Sequence, residues 1–298
     1  MNNIIVGLGE ILWDIFPDRK VLGGAPANFA YHISQLGYNG YTVSAIGNDI
    51  LGKEILSSLD RKHLNYLIET TNYPTGTVQV SLDANGIPQY EIVENVAWDN
   101  IVYNRTIENL AKKTQAVCFG SLAQRNSISR QTIINFVKLM PEDSIKVFDI
   151  NLRQYFYTKE VILESLQIAN ILKINDDEII ILSQLLDLEN LNEQDICKYI
   201  LNTYNLNILI LTKGDRGSYV FTSEKVSYLD TPKVEIVDTV GAGDSFTAAF
   251  LASYLNNNSI ISSHQLAVEV AAYVCTQRGA MPQLPPSFKA NLEHNSYK

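Results

Sequence analysis

Asp238-Thr-Val-Gly-Ala-Gly-Asp-Ser-Phe246 is a glycine-rich turn that leads into a predicted helix over about 243–255. Gly241 and Gly243 permit a tight turn with positive φ, and they leave successive backbone N–H groups open to an anion. The helix adds the positive end of its dipole at the same point. Asp244 follows within the turn, where its carboxylate can accept a proton from a hydroxyl that attacks a bound phosphoryl group. Asp is also a favoured helix N-cap, so a purely structural role for Asp244 stays open at this point.

Four more predicted loops carry glycine, carboxylate or amide groups. In parallel α/β sheets, ligands bind beyond the carboxyl ends of the strands, where loops lead into helices. The concentration of such groups in these loops therefore indicates one shared ligand site. The loops are Gly23–Asn28, Asp149–Arg153, Asn175–Glu178 and Thr212–Gly217.

Apolar, β-branched strands alternate with helical stretches along most of the chain, which predicts a mainly parallel sheet covered on both faces. Residues 77–83 and 89–93 instead alternate in hydropathy around a hairpin signal at Asn85-Gly86, so we expect a projecting flap there. The predicted strands are 4–8, 41–46, 116–119, 145–149, 171–174, 207–211, 218–222 and 225–228. The predicted helices are about 25–36, 51–63, 127–140, 159–169, 176–186, 193–204, 243–255 and 262–275.

The turn at 238–246 resembles, residue for residue, the C-terminal signature of the ribokinase-like (PfkB) carbohydrate kinases. Gly23-Gly24-Ala25-Pro26-Ala27-Asn28 is similar to the N-terminal Gly-Gly and Asn element of the same family. The resemblance covers essentially the whole chain and implies a single domain over 1–298. It implies an α/β fold, a three-layer α/β/α sandwich with a mostly parallel central sheet, and a β lid formed by about 10–20 and 75–98.

The resemblance also implies an activity and the residues that carry it. Members of the family transfer the γ-phosphate of ATP to the hydroxyl of a sugar or a sugar-like compound. The matching positions give Asp244 the role of catalytic base and make Gly241, Ala242 and Gly243 the anion hole. On the sugar side the implied contacts come from Asp14, Gly24 and Asn28.

On the nucleotide side, the resemblance implies contacts with ATP from a larger set of residues. From the residues alone, Asn175 followed by Glu178 is also a plausible helix capping box, and Gly-x-x-Gly is a common turn. The implied contacts are Asn175, Glu178, Thr212, Gly214, Gly217 and Gly279.

Two cations follow from the same resemblance. Mg²⁺ is implied because ATP chemistry needs a hard cation on the phosphates, and Glu178 would reach it through ordered water. A monovalent cation such as K⁺ activates some relatives through carbonyl groups beside the segment that starts at Asp238.

The sugar is predicted from three further stretches that resemble the fructokinase branch: Gly9–Asp14, Asn95–Asp99 and Asp149-x-Asn151-x-Arg153. Arg153 would reach a sugar hydroxyl or a phosphate, or else form a surface salt bridge. Trp98 would close the sugar site as an apolar wall, or else pack in the core. We therefore expect phosphorylation of D-fructose to fructose 6-phosphate. Activity on 2-keto-3-deoxygluconate, ribose or a nucleoside stays open, as does a sugar-binding regulator without catalysis.

Composition excludes several other classes. The net charge of -9 provides no overall field to attract nucleic acid or anionic lipid. Apolar runs fall short of the roughly 18 residues that a membrane span needs. The three cysteines lie far apart without metal-ligand spacing, which indicates a reducing, cytoplasmic setting. An exposed strand edge on the lid would allow a homodimer to form.

Competing nucleotide motifs are missing from the sequence. Gly52-Lys53 is followed by Glu54 and lacks the Walker pattern. Gly7-Leu-Gly9-Glu-Ile-Leu12 lacks the third glycine of a dinucleotide fingerprint, which disfavours a dehydrogenase.

Overall fold

The computed structural model describes residues 3–82 and 88–294. Within these ranges thirteen strands form two sheets, and ten α-helices surround them. The strands are β1 (Ile4–Leu8), β2 (Leu12–Ile15), β3 (Lys20–Gly23), β4 (Asn39–Gly47), β5 (Asn65–Thr71), β6 (Thr77–Leu82), β7 (Pro88–Ile92), β8 (Ala116–Phe119), β9 (Ile145–Asp149), β10 (Ile171–Asn175), β11 (Ile208–Thr212), β12 (Ser218–Phe221) and β13 (Val226–Leu229). The helices are α1 (Ala25–Gln35), α2 (Ile50–Arg61), α3 (Arg105–Ala111), α4 (Ser127–Leu139), α5 (Lys159–Ile168), α6 (Asp176–Leu185), α7 (Glu193–Thr203), α8 (Ala242–Leu255), α9 (Ile260–Cys275) and α10 (Pro286–His294).

The larger sheet, here called the main sheet, has the strand order β13-β12-β11-β10-β9-β8-β1-β4-β5. Neighbours from β11 to β5 pair in parallel, whereas β12 and β13 add antiparallel strands at one edge. Its central strands are short and apolar, and β8 is buried along its whole length. Burial on both faces is what such strands require. The prediction of a mostly parallel α/β sheet is confirmed.

Helices cover both faces of the main sheet. On one face Phe29 of α1 and Phe250 of α8 share an apolar cluster with the sheet. On the other face Phe136 of α4, Ile162 of α5 and Leu182 of α6 belong to a second cluster. The three-layer α/β/α arrangement is therefore confirmed.

Helix α8 lies inside the protein, against α1 and α9. Every residue from Ser245 to Ser253 is buried, as expected for a helix that is apolar on all sides. Thr247 Oγ1 lies 3.4 Å from Asp149 Oδ2 at the end of β9. Packing therefore fixes the first turn of α8 at the carboxyl edge of the main sheet.

The second sheet, here called the small sheet, has the strand order β3-β2-β6-β7. Strand β2 pairs antiparallel with β3 and parallel with β6, and β6 pairs antiparallel with β7. The structure thus gives the predicted flap four strands within the described ranges, because residues 12–23 contribute a second pair. The predicted turn at Asn85-Gly86 lies outside the described residues.

A buried ion pair anchors the chain where it returns from the small sheet. Arg125 holds both carboxylate oxygens of Asp99, at 2.7 and 2.9 Å, and donates from Nη2 to the carbonyl of Val93 at 2.7 Å. Such a two-pronged contact fixes both distance and orientation.

No helix in residues 3–82 and 88–294 is long and apolar enough to cross a membrane.

Candidate active site

The polar loops predicted to meet do surround one cavity, of about 850 Å³. It lies between the small sheet and the carboxyl edge of the main sheet. From the small-sheet side it is lined by Glu10, Leu12, Asp14, Phe16, Gly23, Gly24, Asn28, Val78, Tyr90, Ile92 and Arg153. From the other end it is lined by Lys173, Asn175, Asp176, Asp177, Thr212, Gly214, Thr239, Val240, Gly241 and Gly243, with Asp244 where the two ends meet.

The turn before α8 has a backbone that glycine alone fits well. Gly241 caps the helix with φ 79°, and a Cβ there would lie 2.7 Å from the Cα of Ala280. Asp238 ties the turn down, since its Oδ1 accepts from Val240 N and its Oδ2 from Gly279 N, both at 3.0 Å. Both carboxylate oxygens of Asp238 are therefore engaged by backbone donors, so its contribution is to shape the turn.

Within the turn, Ala242 differs from its glycine neighbours. Its N–H donates to the carbonyl of Thr239 at 3.3 Å. Gly241 and Gly243 line the cavity directly. Of the three predicted anion-hole residues, the structure brings these two to the cavity and turns the Ala242 N–H back into the loop.

Asp244 is paired with a residue from the other end of the chain. Asn28 on α1 donates from Nδ2 to Asp244 Oδ2 at 2.7 Å. Burial and the nearby Asp149 carboxylate raise the pKa of Asp244 from 3.8 to about 6, against the lowering effects of Asn28, Lys173 and Arg153. A carboxylate with a raised pKa is a stronger base than an ordinary Asp and is still ionised at neutral pH.

Lys173 also lines the cavity, and the sequence reasoning missed it. Its Nζ lies 3.2 Å from Asp149 Oδ1, and a Cβ on Gly243 would lie 3.1 Å from that Nζ. Burial lowers the pKa of Lys173, but the Asp149, Glu178 and Asp244 carboxylates outweigh it and raise the pKa above its ordinary value. Lys173 is therefore a fixed positive charge directly beside the first turn of α8. A lysine inside the apolar strand Ile-Leu-Lys-Ile-Asn was the signal in the sequence.

The small-sheet end of the cavity combines carboxylates with one guanidinium group. Burial raises the pKa of Asp14 to about 6, and Arg153 opposes that shift. Gly24 has φ 111°, and a Cβ there would lie 2.4 Å from the carbonyl oxygen of Glu10. Asp14, Gly24, Asn28 and Arg153 all line the cavity, as the sequence predicted they would meet.

Trp98 is the exception among the predicted sugar-side residues. It is fully buried in the core, with the guanidinium of Arg125 4.0 Å from its ring centroid. A Cβ on Gly76 would lie 2.2 Å from Trp98 Nε1, so the ring is packed directly against the backbone. The predicted apolar wall is therefore corrected: Trp98 has the packing role that the sequence left open. Phe16, Val78 and Tyr90 of the small-sheet region line the cavity instead.

At the other end, the predicted nucleotide residues divide into two groups. Thr212, Gly214 and Asn175 line the cavity. Gly217 and Gly279 shape the loops behind it: a Cβ on Gly217 would lie 2.5 Å from the carbonyl of Leu229, and Gly279 donates to Asp238.

Comparison with known proteins identifies the family to which this chain belongs. The model of the pfkB family carbohydrate kinase matches residues 17–286. This chain is a PfkB-family carbohydrate kinase. It is therefore a phosphotransferase that acts on a sugar hydroxyl.

Individual PfkB relatives match along nearly their whole length. An uncharacterized sugar kinase from Pyrococcus horikoshii is 28% identical, over 93% of this chain and 91% of its own. A fructokinase from Salmonella typhimurium is 27% identical, over 96% of this chain and 97% of its own. The structure of a fructokinase with bound ATP from Xylella fastidiosa has the same fold, with a TM-score of 0.86 at 20% identity over 100% of both chains. The Pyrococcus kinase in complex with ATP matches with a TM-score of 0.80 at 26% identity, covering 97% and 99%.

In this PfkB kinase Glu178 has a different environment from the one predicted. Its Oε1 accepts from Leu152 N at 2.9 Å and its Oε2 from Asn175 N at 2.8 Å, while Asn175 Oδ1 accepts from Glu178 N at 2.8 Å. The capping box is thus real, and the buried Glu178 side chain lies behind the cavity wall. Among the residues that the structure describes, no three His, Cys, Asp or Glu side chains form a metal cage. Glu178 itself is not free to bind Mg²⁺, because both of its carboxylate oxygens accept hydrogen bonds from backbone N–H groups.

Proposed function

We propose that this kinase phosphorylates D-fructose to fructose 6-phosphate, with Asp244 as the catalytic base. The observation that carries the proposal is the hydrogen bond between Asn28 and Asp244, 2.7 Å long, at the point where the two ends of the cavity meet. A sugar on the small-sheet side and a phosphate beside Gly241 and Gly243 would both reach Asp244 there. The fructokinase relatives support fructose as the acceptor.

The reaction needs little beyond positioning, charge stabilisation and a base. Asn28 holds the Asp244 carboxylate in place, and Asp244 takes the proton of the attacking hydroxyl. The N–H groups of Gly241 and Gly243, the helix dipole and Lys173 stabilise the negative charge on the transferred phosphoryl group. Asp14 and Arg153 orient the other sugar hydroxyls.

The charges around the sugar favour a neutral acceptor. Glu10, Asp14 and Asp244 contribute three carboxyl groups to that end of the cavity, against the single guanidinium of Arg153. A sugar acid such as 2-keto-3-deoxygluconate would bring a further negative charge into this setting, where it would be repelled. A neutral hexose can instead donate its hydroxyl protons to these acceptors.

Mg²⁺ enters with the nucleotide in this proposal. It would neutralise the ATP phosphates, and Asn175, which lines the cavity, would contact its waters on the protein side; Glu178, bonded to backbone behind the cavity wall, would not. K⁺ would bind carbonyl groups of the Asp238–Val240 segment, not the Asp238 carboxylate.

A coupled assay of ADP release over a panel of acceptors tests the function. Fructose should give the highest kcat/KM, above ribose, 2-keto-3-deoxygluconate and a nucleoside such as adenosine. A higher kcat/KM for one of the other acceptors would change the assigned substrate but not the assignment as a kinase. Tight sugar binding without turnover of any acceptor would support the regulator and contradict the proposal.

The proposal includes a cytoplasmic location. Cys118, Cys197 and Cys275 are free thiols, which fits a reducing cytoplasm.

The proposal also includes a homodimer. Strands β3 and β7 are the outer strands of the small sheet, and pairing of such an edge with a second copy would give a homodimer. Sedimentation analysis should then show a dimer, and a monomer at all concentrations would contradict it.

A further inference from the structure

Glu10 has a buried carboxyl group to which the proposed reaction gives no part in proton transfer. The residue is 2% exposed, and its Oε1 accepts from Ala25 N at 3.3 Å. Among the described residues, its Oε2 has no hydrogen-bond partner. Leaving a buried acceptor unpaired is unfavourable, so a polar partner is expected at this oxygen.

A small void lies behind the active site, next to this carboxyl group. Its volume is about 10 Å³, and its walls include Glu10, Asp149, Asn151, Asp244 and Thr247. A buried water needs about 10–15 Å³ and two to four polar partners. The volume of the void is at the lower limit for one water, and its walls carry more polar groups than one water needs.

We propose that one water occupies this void and passes the proton collected by Asp244 on to Glu10. The inference rests on the proposed function, because it takes Asp244 as the base. It adds a proton-accepting side chain and a buried water site beside Asp244.

The chemistry balances in two steps. In the first, the sugar oxygen forms a bond to the γ-phosphorus, the bond from that phosphorus to the ADP oxygen breaks, and the hydroxyl proton moves to the Asp244 carboxylate. In the second, Asp244 gives its proton to the water while the water gives one of its own to Glu10. The water is unchanged, and Asp244 is ionised again before the products leave.

The groups that face Glu10 suit this role. Asp244 on α8 contributes a negative charge and Arg153 a positive one, and Asp149 and Cys118 form other parts of the void wall. Burial raises the pKa of Glu10 to about 7, with Asp244 adding to the rise and the Ala25 N–H and Arg153 opposing it. Burial thus raises the pKa of both carboxyl groups, and an ionised Glu10 beside the void can accept a proton from the water. Glu10 also lines the main cavity, through which it can return the proton to solvent.

Glu10→Gln tests the relay with the shape of the side chain preserved. The wild-type kcat should rise through two ionisations above the ordinary carboxyl range, because burial raises the pKa of both Asp244 and Glu10. The variant should lose the upper ionisation, keep the lower one and show a kcat reduced about 10-fold to 100-fold at alkaline pH. A purely structural role would lower activity without removing one ionisation selectively.

Cys118 provides a matched pair of variants that leave both carboxylates intact. Cys118→Val adds volume at the void and should exclude the water, which reproduces the loss in kcat. Cys118→Ala leaves room for the water and should keep the wild-type pH profile. Thermal unfolding of each variant separates loss of fold from loss of relay.

A high-resolution crystal structure of the wild-type kinase tests for the buried water independently of activity. Density for one water within hydrogen-bonding distance of Glu10 and Asp244 is the expected result. A dry void, or two ionisations retained in Glu10→Gln, would overturn the relay. If Asp244→Asn proves inactive while Glu10→Gln behaves as wild type, the relay alone fails; an active Asp244→Asn would instead sink the proposed base.

Discussion

As the proposed base, Asp244 has to be ionised and held toward the substrate. Two effects of its environment oppose each other: burial raises the pKa of Asp244, and the hydrogen bond from Asn28 lowers it. The result is a carboxylate with a pKa of about 6, which is basic enough to assist proton removal and still charged in a neutral cell.

Replacing Asp244 by Asn keeps the size of the side chain and removes the base. We expect kcat to fall by about 10²–10⁴-fold, which is the usual contribution of general-base catalysis. The dissociation constant for ATP, measured by titration calorimetry, should change little because the N–H groups and Lys173 remain. A variant with near-normal kcat would contradict the assignment of the base.

At this scale the sequence predicted the residues that lie in glycine-rich loops better than those buried in strands. Asp14, Gly24, Asn28, Arg153 and Asp244 could be placed because loops that follow strands meet at one sheet edge. Lys173 was missed because its role depends on Asp149, which approaches it only after the strands pair.

Trp98 was misplaced for a related reason. Tryptophan is equally at home on the wall of a sugar site and in a core, and the choice depended on where the segment after β7 turns back. The ion pair of Asp99 with Arg125, which a sequence does not show, carries the ring inward.

Among the elements, the first turn of α8 depends most on a single residue. Gly241 needs a positive φ of 79°, and the backbone of Ala280 fills the space where a side chain would be. Gly214 has a similar φ of 57°, yet a Cβ there would meet no atom within 4 Å. A side chain at Gly214 would therefore meet backbone strain alone, whereas one at Gly241 would meet both backbone strain and a steric clash.

Gly241→Ala should lower the melting temperature clearly more than Gly214→Ala. Both variants lose about 1–2 kcal/mol from the left-handed conformation, and only the first adds a clash with backbone. Differential scanning calorimetry of the two proteins measures the difference. Equal losses would show that Ala280 moves aside and that the turn is more tolerant than its geometry indicates.

The small sheet should close over a bound sugar and exclude water from the phosphoryl group. It already touches the loop after β9, where Gln154 donates to the carbonyl of Tyr90 at 2.6 Å. We expect slower hydrogen exchange in β6 and β7 when fructose is added, with the buried strand β8 unaffected as an internal control. Unchanged exchange in β6 and β7 would argue against closure.

The two sheets differ in how well their strands could be predicted from the sequence. The boundaries of β1, β8 and β9 were predicted to the residue, because continuous apolar runs between helices leave little choice. The residue pattern predicted neither β2 nor β3, since each has only four residues; only the family resemblance placed about 10–20 in the lid. Strand β2 lies between its partners β3 and β6.

For the whole molecule, the active site carries a cost in stability. The folded protein binds a proton at Asp244 more tightly than the unfolded chain does, because the pKa rises from 3.8 to about 6 on folding. The stability that this group contributes is fully present below its unfolded pKa and is lost as the pH rises through about 6.

Asp244→Asn should therefore stabilise the protein in a pH-dependent way. The gain in unfolding free energy relative to wild type should be about 1–3 kcal/mol near pH 8 and small near pH 4. Denaturant titrations of both proteins at the two pH values measure it. A gain that is the same at both would indicate that loss of the charge is not its cause.

The hydrogen bond between Asn28 and Asp244 joins positions 216 residues apart. All described strands of the main sheet are complete by Leu229, before the ribosome has made Asp244. A nascent chain at that stage therefore has every described strand but neither helix α8 nor the proposed base that α8 carries. With Asp244 as the base, unfinished chains on the ribosome cannot transfer phosphate through this site.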